Sequence, residues 1–144
     1  MPHTPTVLIA DDEPLFVSSL ARQVRKAGLS FITDTTSELV LELARTRQPD
    51  LIVLDVHQHI DGRDLLSRLK KDPATRHIKV MMLTSHDDQY LRSTCIELGA
   101  HEFELKPADS IVIQKILRLA HGAANDFEEL DAAAQPLRSA IALR

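Results

Sequence analysis

The sequence predicts an α/β fold, a three-layer (βα)5 sandwich around a parallel five-stranded sheet. Two observations carry this expectation. Five short apolar runs begin near residues 7, 30, 51, 79 and 101, and each is followed by apolar residues at helical spacing. The runs start 21 to 28 residues apart, which suits a strand, a helix and two short loops. Such alternation implies parallel strands joined by right-handed crossover helices on both faces of the sheet.

Val7-Leu8-Ile9-Ala10 is the first strand, and it ends in acids. Leu15, Phe16, Leu20, Val24 and Ala27 then recur at helical steps, with Gly28 closing the helix. Residues 30–33 read as a weaker strand, and 37–44 as the second helix, before Pro49. Leu51-Ile52-Val53-Leu54 is a continuous apolar run, as expected of a strand buried on both faces. Leu65, Leu66 and Leu69 place a helix within 62–72, and residues 78–83 form the fourth run. A helix from about residue 87 to 98 ends at Gly99. Residues 101–105 alternate polar and apolar, like an edge strand with one wet face, and residues 110–119 form the last helix.

The chain has 144 residues, 44% hydrophobic and 26% charged, the balance of a globular protein and not of a disordered or fibrous one. Residues 1–121 are expected to form one domain. Residues 122–144 shift to an acidic cluster (Asp126, Glu128, Glu129, Asp131), an alanine run and Pro136, and are read as an extra helix or a linker. A net charge of −4 and 3% aromatics without Trp argue against direct nucleic-acid binding and base stacking. No apolar run reaches the ~18–20 residues of a membrane span. The N-terminus lacks the basic start of a signal peptide. The single cysteine, Cys95, closes no intrachain disulfide. A cytoplasmic protein without membrane contact is therefore expected.

In open α/β sheets functional groups gather at the carboxyl ends of the strands. Here those ends carry Asp11-Asp12-Glu13, Asp55, Thr84-Ser85 and Lys106-Pro107. Clustered carboxylates repel and need a cation to stay ionised. A hard divalent ion with oxygen ligands, Mg2+ above all, does this and also neutralises phosphate oxygens. A carboxylate can itself act as a nucleophile and become an aspartyl phosphate. Lys106 would offer a point charge to phosphate, and Thr84 a hydrogen-bond donor.

In order and spacing, VLIADDEP, PDLIVLDV, IDG, VMMLTS and GAHEFELKP resemble the receiver domain of two-component response regulators over about residues 5–121. The resemblance implies a flavodoxin-like fold with strand order 2-1-3-4-5. It implies that Asp55 receives a phosphoryl group from a sensor histidine kinase or phosphotransfer protein. It further implies that Asp11, Asp12, Asp55 and the main-chain carbonyl of His57 hold Mg2+, for which Mn2+ can substitute. Thr84 and Lys106 would act on the phosphoryl group, and Thr84 and Phe103 would relay the change as switch residues. The lysine–proline peptide is often cis in this family. Such a domain is not an enzyme acting on a separate substrate; it catalyses only its own phosphorylation and dephosphorylation. Its partners would be the phosphodonor, a downstream protein or an output domain outside this sequence, and a second copy bound through the fourth helix, fifth strand and fifth helix.

The sequence departs from the family pattern between Asp55 and Gly62. That loop, Val56-His57-Gln58-His59-Ile60-Asp61, lacks the usual proline and is one residue short. The departure keeps a second reading open, a pseudo-receiver that binds partners without taking phosphate. His57, His59 and His86 also permit a zinc reading, against which stands that of solvated loop imidazoles near the site mouth.

Overall fold

The computed structural model describes residues 3–122. In chain order the elements are β1 (Thr6–Ala10), α1 (Pro14–Lys26), β2 (Ser30–Asp34), α2 (Val40–Arg47), β3 (Leu51–Leu54), α3 (Gly62–Lys71), β4 (Lys79–Thr84), α4 (Gln89–Glu97), β5 (Glu102–Leu105) and α5 (Ser110–Ala120). All strand pairs are parallel, in the order β2-β1-β3-β4-β5. This is the architecture expected from the sequence pattern, with the strand order that the resemblance implies. The expectation for residues 122–144 falls, Gly122 apart, outside the described residues.

Strand alternation divides the apolar residues between two cores. Leu8, Ala10, Ile52, Leu54, Val80 and Met82 pack with Val40, Leu65, Leu69 and Leu91 from α2, α3 and α4. Val7, Ile9, Leu51, Val53, Met81 and Leu83 pack with Val17, Leu20, Val24, Val112, Ile116 and Leu119 from α1 and α5. The central strands therefore read as unbroken apolar runs because both faces are covered. On the edge strand β5, only Phe103 is fully buried, while Glu102 and Glu104 share Lys115 at 3.4 and 2.5 Å.

The second helix starts three residues later than its periodicity suggests. Asp34 is buried, and its carboxylate accepts from the Thr36 amide (2.8 Å), the Thr36 hydroxyl (2.6 Å) and the Leu39 amide (2.8 Å). The Ser37 hydroxyl accepts from the Ile60 amide at 2.9 Å, and Ser37 has φ +63°. These bonds hold 35–39 in a turn, and one of them comes from a loop 23 residues away.

The register brings Ala10 level with Leu54, Leu54 level with Met82, and Thr84 level with Leu105. Asp11, Asp55, Ser85 and Lys106 therefore leave the sheet at one rim. Gly62 closes the short loop after β3. Its amide donates to the Val56 carbonyl at 2.8 Å, and a Cβ there would lie 2.2 Å from the Asp55 carbonyl oxygen and 2.9 Å from Val56 Cα. Both obstacles are backbone, so Gly62→Ala is expected to cost about 2–3 kcal/mol of folding stability. Chemical denaturation checks this; a loss below about 0.5 kcal/mol would mean that the loop yields freely.

Candidate functional site

Asp11 and Asp12 follow β1, and Asp55 follows β3. Each offers a carboxylate oxygen within 4.8 Å of the other two. Asp11 and Asp55 are buried and Asp12 is exposed, so the cluster opens to solvent on one side. Burial raises the Asp11 pKa most, and the Asp55 charge adds to this; the Lys106 and Glu13 hydrogen bonds oppose it.

Lys106 lies across the cluster. Its Nζ is 2.7 Å from Asp11 Oδ2, 2.5 Å from Glu13 Oε1 and 3.4 Å from Asp55 Oδ2, and it stands 4.3 Å from the Phe16 ring centre. Burial works against its charge. Hydrogen bonds to Asp11 and Glu13, with the field of Asp55, outweigh burial and hold the ammonium well above the ordinary lysine range. Its backbone is fixed too, because the Lys106 amide donates to the Thr84 carbonyl at 2.8 Å. The Lys106–Pro107 peptide is cis, as the resemblance implies.

Asp55 is held at the rim by its amide, which donates to the Ala10 carbonyl at 3.1 Å. Its Oδ1 accepts from the His57 amide at 3.3 Å. Thr84 is fully buried at the end of β4, and its hydroxyl oxygen accepts from the His86 amide at 3.4 Å. The His57 and His86 rings meet edge to face with centroids 4.2 Å apart. With Arg63, Ser85 and Asp87 they line a cleft of about 730 Å³. His59 points elsewhere, 3.7 Å from Glu38 Oε2, and Asp61 is paired with Arg63 at 2.6 Å. Among the described residues, Asp11, Asp12 and Asp55 are the group with metal-holding geometry, and the histidines form no such set.

Phe103 is buried in the core with Leu91, Cys95 and Ala100. The Arg92 guanidinium lies 4.9 Å from its ring centre, and Arg92 Nη1 donates to its carbonyl at 3.0 Å. The structure thus brings Asp11, Asp12, Asp55 and Lys106 together and places Thr84 and Phe103 on β4 and β5 beside them.

Two contacts at the rim lie outside the sequence expectation. Glu13 shares Lys106 with Asp11, and the third acid of Asp11-Asp12-Glu13 was the available signal. Gln58 Nε2 donates to the Asp55 carbonyl at 2.8 Å and to the Ala10 carbonyl at 3.4 Å, a contact no motif announces.

Three carboxylates at this spacing form an all-oxygen donor set, which suits a hard divalent cation and not a thiophilic one. In the loop that follows Asp55, the buried Gln58 Oε1 has no hydrogen-bond partner among the described residues. The residues present therefore fit such an ion.

Known proteins share this arrangement of elements. The chain is 33% identical over 102 residues to the alkaline phosphatase synthesis transcriptional regulatory protein PhoP of Bacillus subtilis, covering 70% of this chain and 42% of that protein. It is 32% identical over 108 residues to the response regulator PleD of Caulobacter vibrioides, covering 74% of this chain and 24% of that protein. The chain thus spans less than half the length of these two relatives. The N-terminal domain of a response regulator receiver protein from Methanoculleus marisnigri superposes with a TM-score of 0.66 at 31% identity, over 78% of this chain and 93% of that one. The sequence pattern of the response regulator receiver domain matches residues 7–118. With the strand order, the acidic rim and the lysine at the end of β5, that match decides the family: this chain belongs to the receiver domains of two-component response regulators.

Proposed function

We propose that Asp55 is the phosphoacceptor of a phosphorelay and that this chain catalyses its own phosphorylation and dephosphorylation. The observation that carries the reading is the convergence of Asp55, Asp11 and Asp12 within 4.8 Å, with Lys106 Nζ 3.4 Å from Asp55. A sensor histidine kinase or phosphotransfer protein presents a phosphohistidine. An Asp55 oxygen forms the O–P bond while the P–N bond breaks, and the imidazole leaves with the electron pair and takes up a proton. When the signal ends, water attacks phosphorus and the O–P bond breaks. Asp55 is restored as a carboxylate, and inorganic phosphate leaves.

Asp11, Asp12, Asp55 and the His57 carbonyl would hold Mg2+, or Mn2+ in its place; the ion neutralises carboxylate and phosphoryl oxygens. Lys106 supplies a second, fixed positive charge. Once the phosphoryl group adds negative charge at Asp55, that group competes with Asp11 and Glu13 for the ammonium. Thr84 can turn its hydroxyl proton toward the same charge. Thr84 is level with Leu105, two residues beyond Phe103 on β5, so the two strands share the adjustment. Phosphorylation thereby biases an existing equilibrium between two surfaces.

The surface that would be read lies on α4, β5 and α5. Its elements expose Tyr90 (76%) and Ile111 (60%) and carry the Lys115–Glu104 pair. A second copy, a downstream protein or an output domain would bind there in the cytoplasm. No described helix is long and apolar enough to cross a membrane. The pseudo-receiver reading is not favoured, because the acids and the lysine stand in bonding range of one another.

Incubation with a small-molecule phosphodonor, followed by intact mass spectrometry, tests this. A gain of one phosphoryl group that requires Mg2+ or Mn2+ is expected. No gain, with no detectable Mg2+ binding, would sink the reading.

A further inference from the structure

The short loop after β3 puts a carboxamide where it touches both halves of the acidic rim. Gln58 Nε2 donates to the Asp55 carbonyl at 2.8 Å and to the Ala10 carbonyl at 3.4 Å. Ala10 immediately precedes Asp11-Asp12, and its carbonyl also accepts the Asp55 amide at 3.1 Å. Gln58 thus clamps the end of β1 to the end of β3, and with it the spacing between Asp11-Asp12 and Asp55. Gly62 lies close to the same Asp55 carbonyl, since a Cβ there would stand 2.2 Å from its oxygen.

The other end of the carboxamide is unexplained by the protein alone. Gln58 Oε1 is buried and has no partner among the described residues. Exchanging Oε1 and Nε2 does not help, because the two carbonyls require a donor. A buried amide oxygen left without a donor costs about 1–3 kcal/mol. The strand ends that Gln58 bridges lead directly into Asp11-Asp12 and Asp55, whose carboxylates are acceptors. A donor that suits both this oxygen and the neighbouring acidic rim is water polarised by a cation.

We infer that Gln58 is a positioning residue of the divalent-ion site, with Nε2 setting the gap between the carboxylates and Oε1 accepting a hydrogen bond from a water on the ion. The inference rests on the metal reading proposed above. It predicts selectivity as well as affinity. Mg2+ keeps several of its waters when bound, whereas Ca2+ sheds them more readily for protein oxygens. Removing an acceptor for a bound water therefore penalises Mg2+ more than Ca2+.

The test is calorimetric titration of the full chain with Mg2+ and with Ca2+, comparing wild type, Gln58→Leu and Gln58→Met. Outer contacts of this kind are worth about tenfold or more in metal affinity. Both variants are expected to lose about tenfold in Mg2+ affinity, and clearly less for Ca2+. Wild type that binds neither ion would defeat the metal reading itself. Wild type that binds Mg2+, with both variants within twofold of it, would overturn the role of Gln58 alone. An equal loss for both ions would also overturn it, by reducing Gln58 to a structural clamp. Circular dichroism melts identify a variant that fails to fold, and the second variant then decides.

Discussion

Asp55→Asn is expected to abolish phosphoryl gain while leaving the fold intact. Asparagine matches aspartate in volume and can still sit at the end of β3, but its amide is no nucleophile toward phosphorus. Loss of an attacking group costs on the order of a thousandfold or more in rate, so the phosphorylated mass should vanish from the spectrum. The substitution also removes one of the three converging carboxylates. Mg2+ affinity should fall, and the metal-free protein should lose some of the repulsion that Asp55 exerts on Asp11. A phosphoryl group that persists in Asp55→Asn and maps to Asp11 or Asp12 would overturn the assignment of Asp55.

Lys106→Met should produce the largest stability change at the site. Methionine keeps most of the apolar stem but removes the ammonium 2.7 Å from the buried Asp11 carboxylate and 3.4 Å from Asp55. Stripping one partner from a buried pair costs about 3–5 kcal/mol; because Asp12 keeps one side of the cluster open to water, the low end applies. A drop in melting temperature of roughly 10 °C is expected at pH 8 in chelator.

The sign of its pH dependence follows from Asp11. Burial holds the folded-state pKa of Asp11 above its unfolded value, so the charged form opposes folding. Without Lys106 that pKa rises further. The penalty is present above the folded pKa and fades as pH falls through it and Asp11 takes a proton. The gap between Lys106→Met and wild type should therefore narrow in acid. Wild type has a complementary limit. Its Lys106 pKa is raised by the fold, so that contribution is complete below the unfolded lysine value of 10.5 and is lost in strong alkali. Mg2+ should stabilise Lys106→Met more than wild type, since the ion restores positive charge to the acids. Thermal melts at pH 5 and pH 8, with and without Mg2+, check all three statements. An equal deficit at both pH values would show that Lys106 matters through packing on Phe16 and not through charge.

Much of this site is legible in the order of residues. Asp55 ends an apolar run buried on both faces, and Asp11-Asp12 end another; parallel topology sends such ends to one rim. Lys106 and Thr84 follow by the same rule, because strand ends are readable from hydrophobic pattern alone. The features that pattern does not reveal depend on contacts distant in the chain. The turn at 35–39 overrides a good helical period because Asp34 and Ser37 find other partners. Glu13 reaches a lysine 93 residues away, and Gln58 reaches a carbonyl 48 residues away. No local propensity encodes either.

Hydrophobic period and strand ends are local properties of the chain. They suffice to specify the alternation of strands and helices, the parallel sheet and the set of groups at its carboxyl edge. How those groups share their charges is a matter of three-dimensional packing. Lys106 rests on Asp11 and Glu13 more closely than on Asp55, Asp11 is buried where Asp12 is not, and a glutamine bridges the carbonyls of the two strand ends. Electrostatic partnership depends on distance and burial, and neither exists until the sheet has formed.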